Sequence, residues 1–573
     1  MPVDFLSILN DENSRTSATG EIELIFPEYS IDDDFEIKVP CKIFSKCQSL
    51  IKCAHFSITS PEVSIDGLKF ITSVMINNSD NFQLLNSKIK HAKLSDGGLY
   101  IANSHSVYLS HVTISKTENI PGLYITQNCT ISADNLLIHH LVETLLVCNT
   151  HSILYVKDSN LHHTSANAVY VSAGSHIEIY KCKLWETEYP AIFIQQSTCR
   201  IENNEIRSVK QNGVSLNTVK KFVVAHNYIT DVNGSAIAVL DESKGSTYRN
   251  TITKVGGNGI YVCGNSEIRA YKNIITDNQF PGIAILMKSN AKLSRNKISK
   301  IIYSGICVRG AKKVLIRKCN IDNVQECGIS ISDTDDCTVR KNKIDKCKIA
   351  SVEVYNSSDA LVKHNYITEI GTAAFLVYAG GSLRAYKNKI RQVGVSMVKL
   401  SYKGGGIFLD NDIKDCPIQK NGDTVSSYYF SGNGEFPSVT NNQTLLKEGM
   451  ILDEPYEDKS SSMCIRCNER PRNCFILDCS HRIFCEECAK QALDNKELCP
   501  LCRFPIVSTT IGYESGDDGL CVICSENKAD CIIMPCGHMG FCQACLGQWY
   551  RKNKTCPTCR AEPSFYKKII QDL

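Results

Sequence analysis

A 23-residue clock runs through the first three quarters of the chain, and it restricts the fold more than any other feature. Asparagine recurs at Asn204, Asn227, Asn250, Asn273 and Asn296, and again at Asn342, Asn365, Asn388 and Asn411. Cys319 fills the one gap in register. Two residues after each of these positions stands isoleucine, from Ile206 through Ile321 to Ile413, without an insertion. Upstream the beat continues more loosely through Leu184, Leu161, Leu137, Ile114, Ile89 and Leu68. Later in each repeat comes a second apolar run, such as Gly259-Ile260-Tyr261-Val262 or Gly305-Ile306-Cys307-Val308. These runs alternate and favour β-branched residues, as strands do. Gly, Asn, Asp, Ser and Lys separate them, and those are the residues of turns.

One coil of two or three short strands cannot bury its apolar face alone, whereas stacked coils share a continuous core. The pattern predicts a parallel β-solenoid over residues 20–416, with the isoleucines inside. The asparagines would sit at a repeated bend, where a short amide tolerates unusual φ/ψ and bonds its neighbours above and below. With strands ~4.8 Å apart, about sixteen coils give a rod on the order of 75 Å long. A leucine-rich repeat shares the period but needs leucines three, five and eight residues before the asparagine. Before Asn250 those positions hold Thr247, Gly245 and Glu242, which excludes it.

The repeats resemble the right-handed parallel β-helix superfamily, which includes pectate lyases and the substrate domains of some F-box ubiquitin ligases; residues 21–45 look like its opening coil. The resemblance concerns fold rather than activity. The Asn-Thr-Asp and Gly-His-Gly signatures of polygalacturonase-type members are missing. Asp333, Asp335 and Asp336 fall in register at a turn between coils. His226 and His364 occupy a slot that other coils fill with Arg249, Lys272 or Arg295, so they read as exposed polar positions. The expectation is a surface that binds a protein substrate or partner; a carbohydrate-acting β-helix is the remote alternative.

From 417 to 462 the clock stops. This segment reads as a cap, through Tyr428-Tyr429-Phe430 and Met450-Ile451-Leu452, followed by a linker rich in Ser and acidic residues.

The chain has 30 cysteines, and sixteen of them crowd into residues 464–559. One set comprises Cys464, Cys467, Cys479, His481, Cys485, Cys488, Cys499 and Cys502. A second comprises Cys521, Cys524, Cys536, His538, Cys542, Cys545, Cys556 and Cys559, each 57 positions after its counterpart. Eight soft ligands suit two tetrahedral zinc sites, because structural zinc takes four sulfur or imidazole donors. Two complete sets in one register predict four zinc ions. Cys474 and Cys531 also match in register but exceed the ligand quota, and they read as buried thiols.

This spacing resembles the C3HC4 RING family, giving fingers at 463–506 and 520–563. The resemblance implies a cross-braced arrangement, with Cys464, Cys467, Cys485 and Cys488 on one zinc and Cys479, His481, Cys499 and Cys502 on another. In the second finger it pairs Cys521, Cys524, Cys542 and Cys545, and Cys536, His538, Cys556 and Cys559. It further implies a RING-type E3 ubiquitin ligase, which holds a ubiquitin-charged conjugating enzyme in a reactive pose and forms no covalent intermediate of its own. The family's docking positions are Ile523, Trp549, Pro557 and Arg560 in the second finger. In the first, Arg466 and Ala492 replace the aliphatic and aromatic residues, although Pro500 and Arg503 remain. Only eighteen residues separate Cys502 from Cys521, too few for the middle domain of the RING-between-RING class. The tail RAEPSFYKKIIQDL resembles those through which some RINGs dimerise. A non-catalytic zinc scaffold is the rival reading.

The bulk numbers agree with a soluble protein: 43% hydrophobic, 21% charged, net charge +3. So small a net charge predicts neither a nucleic-acid nor a membrane partner. The first residues lack the basic and apolar regions of a signal peptide, and no run of 18 apolar residues occurs. With paired thiols suited to zinc, these features predict a reducing compartment, cytoplasm or nucleus.

Overall fold

In the computed structural model, residues 21–90, 97–416, 427–431, 439–440 and 463–568 are described. The exceptions within them are 32, 335, 357, 401–403, 468, 477–481, 496, 498–505, 507–508, 513–519, 528, 530, 535, 554 and 561–564. The chain divides into a unit of coils and a C-terminal unit holding both cysteine-rich fingers.

The first unit is a parallel β-solenoid of about 17 turns. Each coil contributes one strand to each of three parallel sheets, as Lys244–Tyr248, Thr251–Val255 and Ile260–Val262 do in one coil. The next coil repeats them in register: Tyr248 pairs with Tyr271, Ile252 with Ile275 and Ile260 with Ile283 by way of matching strands. The isoleucine ladder is the core of the second sheet, and Ile206, Ile252, Ile321 and Ile390 are wholly buried. Burying each such side chain contributes about 2–3 kcal/mol. Glycine precedes the third-sheet strands because the turn lies against the next coil's isoleucine. A Cβ on Gly282 would stand 2.6 Å from Ile298 Cγ2.

The asparagine ladder bonds from coil to coil. Asn342 Nδ2 donates to Ile316 O at 3.1 Å and to Asn365 Oδ1 at 3.0 Å, while its own Oδ1 accepts from Cys319 N at 2.8 Å. Each amide thus satisfies backbone groups that a bend would otherwise bury unpaired. The sequence reading needs one correction here. The left-handed residue is the one before each asparagine, with φ of 54° at Arg249, 57° at Lys272 and 56° at Arg295. The asparagine is buried instead, for its amide must face the neighbouring backbones rather than solvent. At Cys319 the ladder weakens, because Asn296 Nδ2 keeps its bond to Ala270 O at 3.0 Å but meets a sulfur at 3.8 Å in place of the next amide oxygen.

The solenoid continues into the segment where the clock is silent, since Val439–Thr440 pairs in parallel with Val398 and Lys399. Tyr428–Phe430 lies within the strand Ser427–Ser431, and 450–452 falls outside the described residues. Asp333 and Asp336 are ion-paired with Arg309 and Lys313 at 3.8 and 3.0 Å, as solvated turn acids would be. Asp335 is outside the described residues.

Candidate metal centres and docking face

Each finger is a small three-stranded antiparallel sheet with one helix. In the first, Cys474–Ile476 pairs with Arg482–Phe484 and with Thr509–Ile511, and the helix is Glu486–Asp494. In the second, Cys531–Met534 pairs with Met539–Phe541 and with Phe565–Lys568, and the helix is Gln543–Lys552. Cys474 faces Ile511 and Cys531 faces Lys568, so the 57-residue repeat extends through these third strands. The ligand spacing ends too early to show them. Phe565–Lys568, which reads as a dimerisation tail, is therefore part of the finger's own sheet. Cys474 and Cys531 are buried, and burial pushes the Cys474 thiol up to about 11.

Three ligand tetrads form among the described residues: Cys464, Cys467, Cys485 and Cys488; Cys521, Cys524, Cys542 and Cys545; and Cys536, His538, Cys556 and Cys559. In each, the donor atoms all lie within 4.8 Å of one another. Cys479, His481, Cys499 and Cys502 lie outside the described residues, as do Pro500 and Arg503. Sulfurs on a tetrahedral zinc, at ~2.3 Å from the metal, stand roughly 3.8 Å apart. Cys467 Sγ and Cys485 Sγ are 3.9 Å apart, and Cys524 Sγ and Cys542 Sγ are 4.0 Å apart. A disulfide would need about 2 Å. The donor sets fit zinc, and the pairing is the cross-braced one.

Local backbone also favours thiolates. The N–H groups of Asn527 and Glu526 draw Cys524 down to about 6. At Cys464 burial opposes ionisation, yet the N–H groups of Cys467, Cys485 and Arg466 still bring it to about 6. Bound zinc would tie the ligand loops to the sheet and helix, since a domain this small has little core of its own.

The two fingers differ on the face beside the first tetrad. In the second, Leu520, Val522 and Ile523 are exposed, although each is a large aliphatic. Trp549 is half-buried on the helix and fixed by Nε1 donating to Thr555 O at 2.8 Å. Pro557 is partly exposed, and Arg560 is exposed with a left-handed φ of 60° directly after the last ligand. In the first finger Arg466 occupies the place of Ile523. Its guanidinium bonds Glu497 and Cys488 O and lies 5.4 Å from the Phe484 ring. Ala492, in the place of Trp549, is wholly buried. The sequence shows the two substitutions, while Glu497 as the anchor of Arg466 emerges only from the fold.

The fingers also pack on each other. Phe475 of the first joins Ile532 and Met539 of the second in one buried cluster. Backbone approaches closely there, for a Cβ on Gly512 would stand 2.5 Å from both Met539 Sδ and Phe475 Cε2.

Comparison with known proteins agrees with both halves. The family model "Right handed beta helix region" matches residues 167–301, 246–392 and 304–452. The model "Zinc finger, C3HC4 type (RING finger)" matches 460–509 and 517–564. A putative E3 ubiquitin-protein ligase XBAT35 of Arabidopsis thaliana is 41% identical over 49 residues, 9% of this chain and 11% of that protein. RING finger protein 141 of Danio rerio is 44% identical over 46 residues, 8% of this chain and 20% of that protein. A putative apoptosis inhibitor, ORF106, of Ostreid herpesvirus 1 is 39% identical over 62 residues, 10% of this chain and 13% of that protein. The chain thus spans only a small part of the length of these relatives. Among solved structures, the A-module of the mannuronan C-5 epimerase AlgE4 of Azotobacter vinelandii is 11% identical, covering 69% of this chain and 91% of that one at a TM-score of 0.26. The chain thus joins two C3HC4-type RING finger regions to a right-handed β-helix region.

Proposed function

We propose that the protein is a RING-type E3 ubiquitin ligase whose second finger recruits a ubiquitin-charged conjugating enzyme and whose solenoid holds the protein substrate. The observation that carries this reading is the exposed aliphatic face of Leu520, Val522 and Ile523 beside the first tetrad of that finger. Large aliphatics clustered at the surface mark a docking site. Trp549 and Pro557 would extend it, and Arg560 would reach the enzyme and ubiquitin together. The matched relatives named as E3 ligases support the same reading over the finger alone.

In the reaction a substrate lysine amine attacks the thioester carbonyl. The new C–N bond replaces the C–S bond, the conjugating enzyme's thiol leaves, and the amine proton passes to solvent. No side chain of this protein forms a bond. Its contribution is to hold the thioester in a reactive pose, where orientation alone lowers the barrier. The first finger would not recruit, because Arg466 is tethered to Glu497 where an aliphatic contact is required. Packing of the fingers through Phe475, Ile532 and Met539 supports a ligase unit built within one chain.

Autoubiquitination by the zinc-loaded full chain with a panel of conjugating enzymes tests the proposal. Chains should form, and Ile523→Ala or Arg560→Ala should reduce them at least tenfold while Arg466→Ala does not. Absence of product across the panel, with the fingers folded, would leave the scaffold reading in its place.

A further inference from the structure

One corner of the solenoid carries basic side chains in an unbroken row. From Asn250 to Asn388 the left-handed residue before each ladder position is Arg249, Lys272, Arg295, Lys318 and Lys341 in successive coils, followed by His364 and Lys387, and Asp410 ends the row. All seven are exposed. Their backbones bond from coil to coil, as Lys272 N does to Ser294 O and Lys318 N to Arg340 O, at 3.0 and 3.2 Å. The row therefore advances ~4.8 Å per coil and runs straight for roughly 29 Å. The adjoining column of the first sheet adds Arg317, Arg340 and Lys363 in direct register. On the other side the second sheet adds Lys297, Lys343 and Lys389. Across the three columns from Tyr248 to Lys389 there is no aspartate or glutamate. Of these cations only Lys343 has an ion pair among the described residues, at 3.5 Å from Asp345.

Like charges ~5 Å apart repel, and acids interrupt such rows: Asp359 pairs with Arg384, and Glu202, two rungs before Tyr248 in its column, pairs with Arg200 and accepts from the Tyr248 hydroxyl at 3.3 Å. A corner whose basic side chains, Lys343 excepted, stay without ion pairs among the described residues over seven coils is suited to an external polyanion. Tyrosines are interleaved with them. Tyr248 and Tyr271, next to Arg249 and Lys272, are stacked at 4.8 Å and 11°. The following rung is Ser294, too short to cover the far face of Tyr271. Tyr366 is exposed between Lys343 and Lys389, with Lys389 Nζ over its ring at 5.8 Å from the centroid, so the open face belongs to Tyr271.

We infer that this corner binds single-stranded nucleic acid, its phosphates along the cations and its bases against the tyrosine rings. Cations tracking a backbone beside open aromatic faces are what such a strand requires, and no base-specific contact is needed. An acidic peptide would share the charge but needs pockets for anchoring side chains. Among the described residues, two cavities of the solenoid lie away from this corner, around His163 and Glu186 and around Tyr108 and Tyr155. Net charge near zero hides the stripe, because the chain's acids are distributed away from it. The inference does not depend on ligase activity.

Fluorescence anisotropy of the zinc-loaded full chain with labelled dT20 and rU20 tests it. Binding is expected at 50 mM salt, and log K should fall with log salt at about −0.7 per phosphate contacted. Lys318→Glu with Lys341→Glu should weaken binding at least tenfold and flatten that slope. Lys254→Glu with Lys300→Glu, exposed positions of the same solenoid away from this corner, should not. Tyr271→Ala should weaken binding several-fold, through lost stacking. Circular dichroism verifies folding, and Lys318→Gln with Lys341→Gln serves if the reversal unfolds the chain. Absence of binding at 50 mM salt, or binding indifferent to the corner variants, overturns the inference. Equal binding of polyglutamate, unaffected by Tyr271→Ala, overturns it in favour of an acidic protein.

Discussion

Phe475 of the first finger and Ile532 of the second hold the same position of the 57-residue repeat, and both are buried in one cluster with Met539. Equivalent strands thus meet through equivalent residues, as subunits do in an isologous dimer. The next equivalent pair is unlike: Arg482 lies over the Phe475 ring at 5.6 Å, whereas Met539 joins the cluster itself.

Replacing that aromatic should loosen both fingers together. Phe475→Ala removes a fully buried ring, at a cost of about 3 kcal/mol. Chelator-driven zinc release from the full chain, followed with a metal indicator, should accelerate for both fingers. Release unchanged from wild type would mean that the cluster does not hold them.

The asparagine ladder predicts an asymmetric pair of variants. Asn342→Ala removes the bonds to Cys319 N–H, Ile316 C=O and Asn365 Oδ1, the last of which keeps the backbone N–H of residue 342, and at ~1 kcal/mol per bond it should cost about 3 kcal/mol. Cys319→Asn should instead raise stability by about 1 kcal/mol, by giving Asn296 the amide partner that its neighbours have. Thermal unfolding of the two proteins should move in opposite directions.

Four histidines on two adjacent coils give the solenoid an acid sensitivity. His139 stacks on His162 at 5.3 Å, His140 on His163 at 4.5 Å, and His162 on Trp185 at 3.9 Å. Burial, then the charges of His163, His139, His140 and Arg207, lowers His162 to about 4; Glu186 pairs with His163 beside them. The unfolded chain, with a histidine near 6.5, binds this proton first. Stability from this group is therefore complete above about pH 6.5 and is lost as pH falls toward 4. Melting temperature against pH should show that loss, and His162→Gln should reduce it.

Metal removal should separate the two units. All three tetrads among the described residues lie in the fingers, while the solenoid core is isoleucine, valine and leucine. A strong chelator should abolish the environment of Trp549 and leave the strand signal in circular dichroism intact. Collapse of that signal would show that the solenoid depends on zinc.

What was legible in the sequence was whatever repeats with chemistry attached. Ile252 and Asn250 announce a coil because every coil needs an apolar side chain inside and an amide at the bend. Cys521 and Cys524 announce a metal because little else uses that spacing twice. The third strands were hidden, since Thr509–Ile511 and Phe565–Lys568 carry no ligand and share no residue type at equivalent positions, so the repeat they continue shows only in their pairing. The contact of Phe475 with Met539 was hidden too, because an apolar strand residue looks the same whether it faces its own finger or the next. The identity of the left-handed residue escaped because positive φ is expected of asparagine rather than of the Arg249 or Lys272 beside it.

The unbroken register of the coils also sets how this molecule can change over evolution. A one-residue insertion within a strand would turn its isoleucine outward, so from Asn204 to Asn411 the ladder keeps whole repeats, whereas the looser upstream coils take up extra residues in their turns. A duplication of 23 residues lengthens the row by one rung and adds one cation to it without disturbing the rest. Length, and with it the reach of the charged corner, is inherited in discrete steps, much as a ruler is extended by adding another division.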